Sequence, residues 1–228
     1  MLPLLAAASS ASVDVSFVPT ESAAARAALE WASVGPGDTL YELGCGDGRV
    51  AAEALELGAS VVCVERDPEL AAMAATRLLR AAGSRPERVK IITTDLFEVD
   101  LSEASVVFLF LLPGLNARLR PTLTAQLRPG ARVLSAEFQV LGWPCGKSLR
   151  TGGATFHKWQ LPVASASVHA TEEAAAAEPY VTYIRIEEAA VEHQLDCVSE
   201  DAALDGVGDG EEDGEQGDSA GERERERC

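Results

Sequence analysis

Between Thr39 and Phe138 the chain repeats one pattern: a short run rich in Val, Ile, Leu and Phe, then a stretch long enough to cross back over it. The apolar runs fall at 39–43, 60–64, 89–93, 105–111 and 132–138. Helical patterns at 49–57, 68–82 and 115–127 lie between them. The middle one has the clearest ends, with Asp67 to cap it, Pro68 in its first turn and Gly83 just past its end. A hairpin cannot join strands so separated, so they pair in parallel. Their uninterrupted apolar content suits a sheet covered on both faces. The class is α/β. An Ala-rich helix precedes the pattern, with Thr20 as its expected N-cap, and Gly35-Pro36-Gly37 ends it. After Phe138 the alternation stops. Runs at 155–161 and 180–186 read as strands with no helix between them, which predicts an antiparallel terminal pair.

Charge divides the chain. Of 36 acidic residues sixteen follow Ile186, against three of the 19 Lys and Arg, so a segment poor in apolar groups carries most of the net charge of −17. Such a segment cannot offset its ordering entropy, and residues 187–228 are expected to form an acidic disordered tail. Residues 1–13 are expected to be a disordered start, leaving 14–186 as the one folded domain. No basic stripe tracks the chain, so no nucleic-acid partner is expected. The apolar opening Met1-Leu2-Pro3-Leu4-Leu5 is short and lacks a basic flank, so neither a signal peptide nor a membrane span is expected. The five cysteines are odd in number and include no C-x-x-C pair, and the three histidines are scattered. Unpaired thiols in a reducing, cytoplasmic setting and no metal site are the expectations.

The segment that carries chemistry is Tyr41-Glu42-Leu43-Gly44-Cys45-Gly46-Asp47-Gly48, an apolar strand ending in three alternating glycines that runs straight into a helix. Glycines suit a sharp turn and a ligand that approaches where a Cβ would collide, although a tight turn with no ligand would use them too. Glu65, at the end of the second strand, stands near the offset of about 20 residues at which a carboxylate meets ribose hydroxyls. A solvated strand-end carboxylate is the plainer reading. Asp95, after the third strand, is placed to reach an adenine, with Leu96 as an apolar surface. A dinucleotide loop runs G-x-G-x-x-G and leaves its helix N-terminus free for a pyrophosphate. Here the spacing is G-x-G-x-G, and Glu42 stands two residues ahead. A carboxylate there repels pyrophosphate and suits the ammonium and sulfonium of a methionine moiety.

These residues resemble the E/D-x-G-x-G-x-G motif of the seven-strand class I methyltransferases through Glu42, Gly44, Gly46 and Gly48. Within that group, Phe17-Val18-Pro19-Thr20, the loop E-L-G-C-G-D-G-R and the stretch from Phe138 to Trp143-Pro144 resemble the protein-lysine methyltransferases related to the ATP synthase c-subunit enzyme. The resemblance implies a Rossmann-like, mostly parallel seven-stranded sheet and S-adenosyl-L-methionine as cofactor. It implies that Glu42, Gly44, Cys45 and Gly46 hold the methionine end, Glu65 the ribose, and Asp95 with Leu96 the adenine, with Thr20 close by. The partner it implies is a protein with an accessible lysine, and its mitochondrial branch makes a mitochondrial location the alternative.

No residue reads as a dedicated nucleophile or base. Leu112, Pro113, Asn116 and Trp143 are the candidate lining of an acceptor site. Asn116 is the nearest polar group after the fourth strand, though a surface place on the next helix would suit it as well. Trp143 lies in a Gly/Pro-rich loop where function concentrates, yet a core role fits it equally. The fourth strand ends Phe110-Leu111-Leu112-Pro113-Gly114, without the Asn/Asp-Pro-Pro-Tyr signature of enzymes that methylate adenine N6 or glutamine amides. Three readings stand: a protein-lysine N-methyltransferase, a small-molecule O- or N-methyltransferase whose 139–153 loop closes as a lid, and a non-catalytic binding module whose acidic tail holds a basic partner.

Overall fold

A computed structural model describes residues 19–163 of the chain. The strands are β1 (Thr39–Leu43), β2 (Ser60–Glu65), β3 (Val89–Thr93), β4 (Val106–Leu109), β5 (Arg132–Ala136), β6 (Lys147–Thr151) and β7 (Ala154–Gln160). They form one seven-stranded sheet in the order β3-β2-β1-β4-β5-β7-β6. The first five pair in parallel, and β7 runs antiparallel to both β5 and β6. The order reverses between β1 and β4. In open α/β sheets the crevice at the carboxyl ends of two such strands is where ligands bind.

Among the described residues four α-helices cover the sheet: α1 (Ser22–Trp31), α2 (Arg49–Glu56), α3 (Pro68–Ala82) and α4 (Pro113–Gln126). One core packs α1, α2 and α3 on the face that carries Leu40, Cys63, Phe108 and Leu134. The opposite core packs α4, through Leu119 and Leu123 and its C-cap Leu127, with Trp143 and Trp159 against Leu43, Leu109 and Val133. The start of α3 follows the expected chemistry, since the Asp67 carboxylate accepts from the N–H groups of Glu69 and Leu70 and Pro68 opens the helix.

Three expectations are corrected. Thr20 does not cap α1: the helix begins at Ser22, and Glu21 takes the cap position without a side-chain hydrogen bond. The sheet does end antiparallel, with β7 close to the run read at 155–161, and the correction is β6, a strand joined to β7 through Gly152-Gly153 inside the stretch read as loop. The polar face of Lys147-Ser148-Leu149-Arg150-Thr151 hid it, because an edge strand beyond the core needs little apolar content. Cys45 and Cys63 are joined as a disulfide, with Cα atoms 5.4 Å apart. The 18-residue separation concealed this, since the loop after β1 folds back beside β2. The expectations for 1–13, Phe17, Val18, the strand at 180–186 and the tail at 187–228 lie outside the described residues.

Candidate active site

The loop after β1 commits its own hydrogen-bond donors to the neighbouring strand. The N–H groups of Gly44 and Cys45 both donate to the Val64 carbonyl at 2.9 and 3.0 Å, and that of Gly48 donates to the Cys45 carbonyl at 2.8 Å. The Gly46 N–H donates to Glu65 Oε2 at 2.8 Å, and the other oxygen of that carboxylate accepts from Asp67 N–H at 2.9 Å. Gly44, Gly46 and Gly48 all have positive φ, at 77°, 52° and 76°, which a side chain would strain. Gly48 is closed in as well, because a Cβ there would lie 3.1 Å from Ala74 Cβ on α3. The third glycine therefore serves helix packing. Gly44 is exposed on the crevice side and meets the end of β4, its Cβ position being 3.3 Å from Leu111 Cδ2.

Glu42 lies beneath this loop. Its side chain is buried, and Oε2 accepts from Ala51 N–H in the first turn of α2 at 2.9 Å. The helix terminus that would receive a phosphate in a dinucleotide fold is thus occupied by a carboxylate. Four loop N–H groups are thus committed within the protein, and the acidic residue beneath them is buried against the start of α2. Burial pushes the Glu42 carboxyl up to about 8, with the Ala51 N–H opposing and the charges of Asp47 and Glu65 adding to the rise.

The sign of the stability effect follows. Between about pH 4.5 and 8 the unfolded chain has lost this proton and the native state retains it, so stability falls as pH rises through that window. Glu42→Gln keeps an acceptor for Ala51 without a titrating group. Its melting temperature relative to wild type should climb from about pH 5 to 8, by the equivalent of a few kcal/mol. Parallel curves for the two proteins across that range would show that Glu42 is ionised throughout.

Sequence reasoning missed Asp47. This buried carboxylate pairs with Arg49 at 2.8 Å and with Arg77 of α3 at 2.9 Å, and Arg77 also donates to the Asp47 carbonyl. The loop is clamped from α3 across 30 residues of sequence, a separation no local pattern reveals.

Glu65 ends β2, and Asp95 follows the adjacent strand β3. Asp95 is exposed, its Oδ1 accepting from Phe97 N–H at 3.0 Å, and Leu96 is half-buried. Thr20 is half-buried just before α1. Beyond β4, Leu112 is half-buried while Pro113 and Asn116 are buried in the first turn of α4. Trp143 is buried and stacks edge-on against Trp159 at 5.6 Å, whose Nε1 in turn donates to the Pro144 carbonyl. Arg120 donates to the Leu141 carbonyl and Gln139 Oε1 accepts from Gly146 N–H, so the 139–146 loop is tied at three points.

The family model described as the ANTKMT methyltransferase domain matches residues 42–147, from the acidic residue under the loop to the start of β6. A protein-lysine N-methyltransferase of Saccharolobus islandicus (strain REY15A) is 40% identical over 132 residues, 57% of this chain and 80% of that protein. The lysine N-methyltransferase of the ATP synthase c-subunit from Mus musculus is 32% identical over 106 residues, 46% of this chain and 41% of that protein. The chain therefore spans less than half of the mouse protein. Among solved structures, an RNA methyltransferase from Salinibacter ruber in complex with S-adenosyl-L-homocysteine aligns with a TM-score of 0.62 at 38% identity, over 66% of this chain and 98% of that one.

Proposed function

Because this chain belongs to the family of class I S-adenosylmethionine-dependent methyltransferases that includes the Saccharolobus protein-lysine N-methyltransferase, we propose that its acceptor is the ε-amine of a lysine on a protein. The observation that carries this reading is the 40% identity maintained over 80% of a relative of that name. The end of β4 supports it chemically. Leu111, Leu112 and Pro113 present an apolar wall beside the glycine loop, and an apolar setting lowers an amine pKa by disfavouring its charged form.

The cofactor, S-adenosylmethionine, supplies an electrophilic methyl on a sulfonium. The residues present fit it: an exposed Gly44 at positive φ where the methionine end can approach the backbone, Glu42 beneath the loop, and the Glu65 carboxylate at the neighbouring strand end for the ribose hydroxyls. Cys45 contributes backbone to that cradle, its side chain being turned to Cys63. Asp95 and Leu96 take the adenine in this reading, and Thr20 lies near the cofactor. Glu65→Ala should weaken cofactor binding by roughly 1 to 3 kcal/mol, since the ribose hydroxyls would then be desolvated with no partner. Unchanged affinity by calorimetry in a folded variant would remove Glu65 from the site.

A second reading, an RNA acceptor, is favoured by the name of the Salinibacter structure. Charge gives it partial support: from Ala104 to Val163 the chain has seven Arg and Lys and only one carboxylate, Glu137. Four of those cations are engaged within the fold, however. Arg118 lies over Phe97, Arg120 donates to Leu141, Arg132 pairs with Asp38, and Lys158 lies over Trp31. A phosphate-tracking face needs cations free to release counterions. The two readings separate in one experiment, in which the full chain is incubated with methyl-labelled cofactor in a cell extract. Label that resists nuclease, is lost to protease and is recovered as methylated lysine after hydrolysis supports the first. Label lost to nuclease, or found in small molecules, overturns it.

A further inference from the structure

Among the described residues, Asn116 carries the buried side-chain atom whose hydrogen bonding the fold leaves incomplete. It sits in the first turn of α4, one turn after the strand end whose Leu111 touches the glycine loop, and its side chain is fully buried. Its Nδ2 donates to Ser135 Oγ at 3.3 Å. Ser135 is also fully buried, on β5, where it pairs with Leu109 of β4 and His157 of β7. Among the described residues, Asn116 Oδ1 is the buried side-chain atom that has no hydrogen-bond partner.

A carbonyl oxygen removed from water with no donor is destabilising, and Asn is a poor residue for a helix interior. Leucine at 116 would continue the buried stripe of Leu119 and Leu123 without either cost. Fully buried polar groups are normally satisfied, so an oxygen left unpaired in the first turn of the helix that follows β4 points to a donor that arrives with a ligand.

We propose that Asn116 Oδ1 receives an N–H of the acceptor amine, with Ser135 holding the amide in place; this rests on the amine-acceptor reading above. A neutral amine has the donor this oxygen needs. With one N–H held, the nitrogen lone pair is turned towards the methyl group. The lone pair forms the new N–C bond, the electrons of the breaking C–S bond stay on sulfur, and the nitrogen becomes an ammonium that later sheds a proton to water. Positive charge grows on nitrogen during transfer, so the hydrogen bond to Oδ1 strengthens toward the transition state. Asn116 would then act on the chemical step and leave cofactor binding unchanged.

The test uses the full chain with Asn116→Leu, Asn116→Ala and Ser135→Ala, following calorimetric cofactor affinity, melting temperature and single-turnover transfer of label into protein. Asn116→Leu should melt no lower than wild type, bind cofactor within about threefold, and transfer methyl about 100-fold more slowly, the scale of losing one group matched to developing charge. Asn116→Ala carries the same expectation for affinity and rate if the leucine variant fails to fold. Ser135→Ala should slow transfer by a smaller factor. Transfer within about threefold of wild type in a folded Asn116 variant, or a parallel loss of cofactor affinity, overturns the proposal. Failure of the lysine reading shows separately, as wild-type label that is not methylated lysine. If the rate still depends on Asn116 in that case, the hydrogen-bond role stands for another N–H acceptor.

Discussion

Gly44→Val should lower affinity for S-adenosylmethionine by at least about 100-fold while leaving the helical circular-dichroism signal close to wild type. Gly44 has φ +77°, where a β-branched residue is an outlier, and the new Cβ would lie 3.3 Å from Leu111 Cδ2. The loop cannot easily move aside to relieve this. The N–H groups of Gly44 and Cys45 share the Val64 carbonyl, and that of Gly46 is held by Glu65. The side chain would therefore project into the crevice the cofactor must enter. Gly37→Val is the matched control, because Gly37 has φ +92° with nothing within 4 Å of its Cβ position. It shares the backbone strain and lies away from the crevice. If both variants bind alike by calorimetry, strain accounts for the effect; if Gly44→Val keeps full affinity, the loop is not the cofactor site.

The parallel half of the fold is legible because parallel strands buried on both faces announce themselves. β1 and β3 occupy the residues read from the sequence, and β2 extends one residue further, to Glu65. β6 escapes notice for the opposite reason: as an edge strand it presents Lys147 and Arg150 to solvent, and its only strong signal is the Gly152-Gly153 pair that turns it into β7. At the site, the glycine loop and Glu65 are readable as types at a spacing. Their actual partnership, a Glu65 carboxylate holding Gly46 N–H, depends on two strands being neighbours. Glu42 shows the limit more sharply. Its position before the loop suggests a direct counter-charge for a cation, whereas the carboxyl is buried against Ala51 with its pKa raised to about 8. Asn116 is legible in principle, since it lies three residues before Leu119 and seven before Leu123 on one helical face, and both leucines are buried. That face places it inside, where the residue type alone leaves a surface position open.

The rate of methyl transfer in a single turnover should rise with pH from about 6 to 9, by up to about tenfold per unit while the acceptor amine is mostly protonated. Lysine has a reference pKa of about 10.4, so at neutral pH only about one amine in 2,500 is ready to react. In the proposed acceptor site, the apolar residues Leu111, Leu112 and Pro113 would raise that fraction by desolvation, which would move the plateau to lower pH and leave the slope below it intact. Glu42 titrates in the same window, and its ionisation as pH approaches 8 would strengthen attraction for a cationic ligand. Two measures separate the groups. Saturating cofactor removes any pH dependence of its binding from the rate, and repeating the profile in Glu42→Gln removes the carboxyl itself. A slope that persists under both conditions belongs to the acceptor. Replacing the target lysine by arginine must then abolish labelling, because a guanidinium does not deprotonate in this range. A flat profile at saturating cofactor in both proteins would mean that the acceptor arrives already neutral, and would transfer the assignment to a different nucleophile while leaving the cofactor site as described.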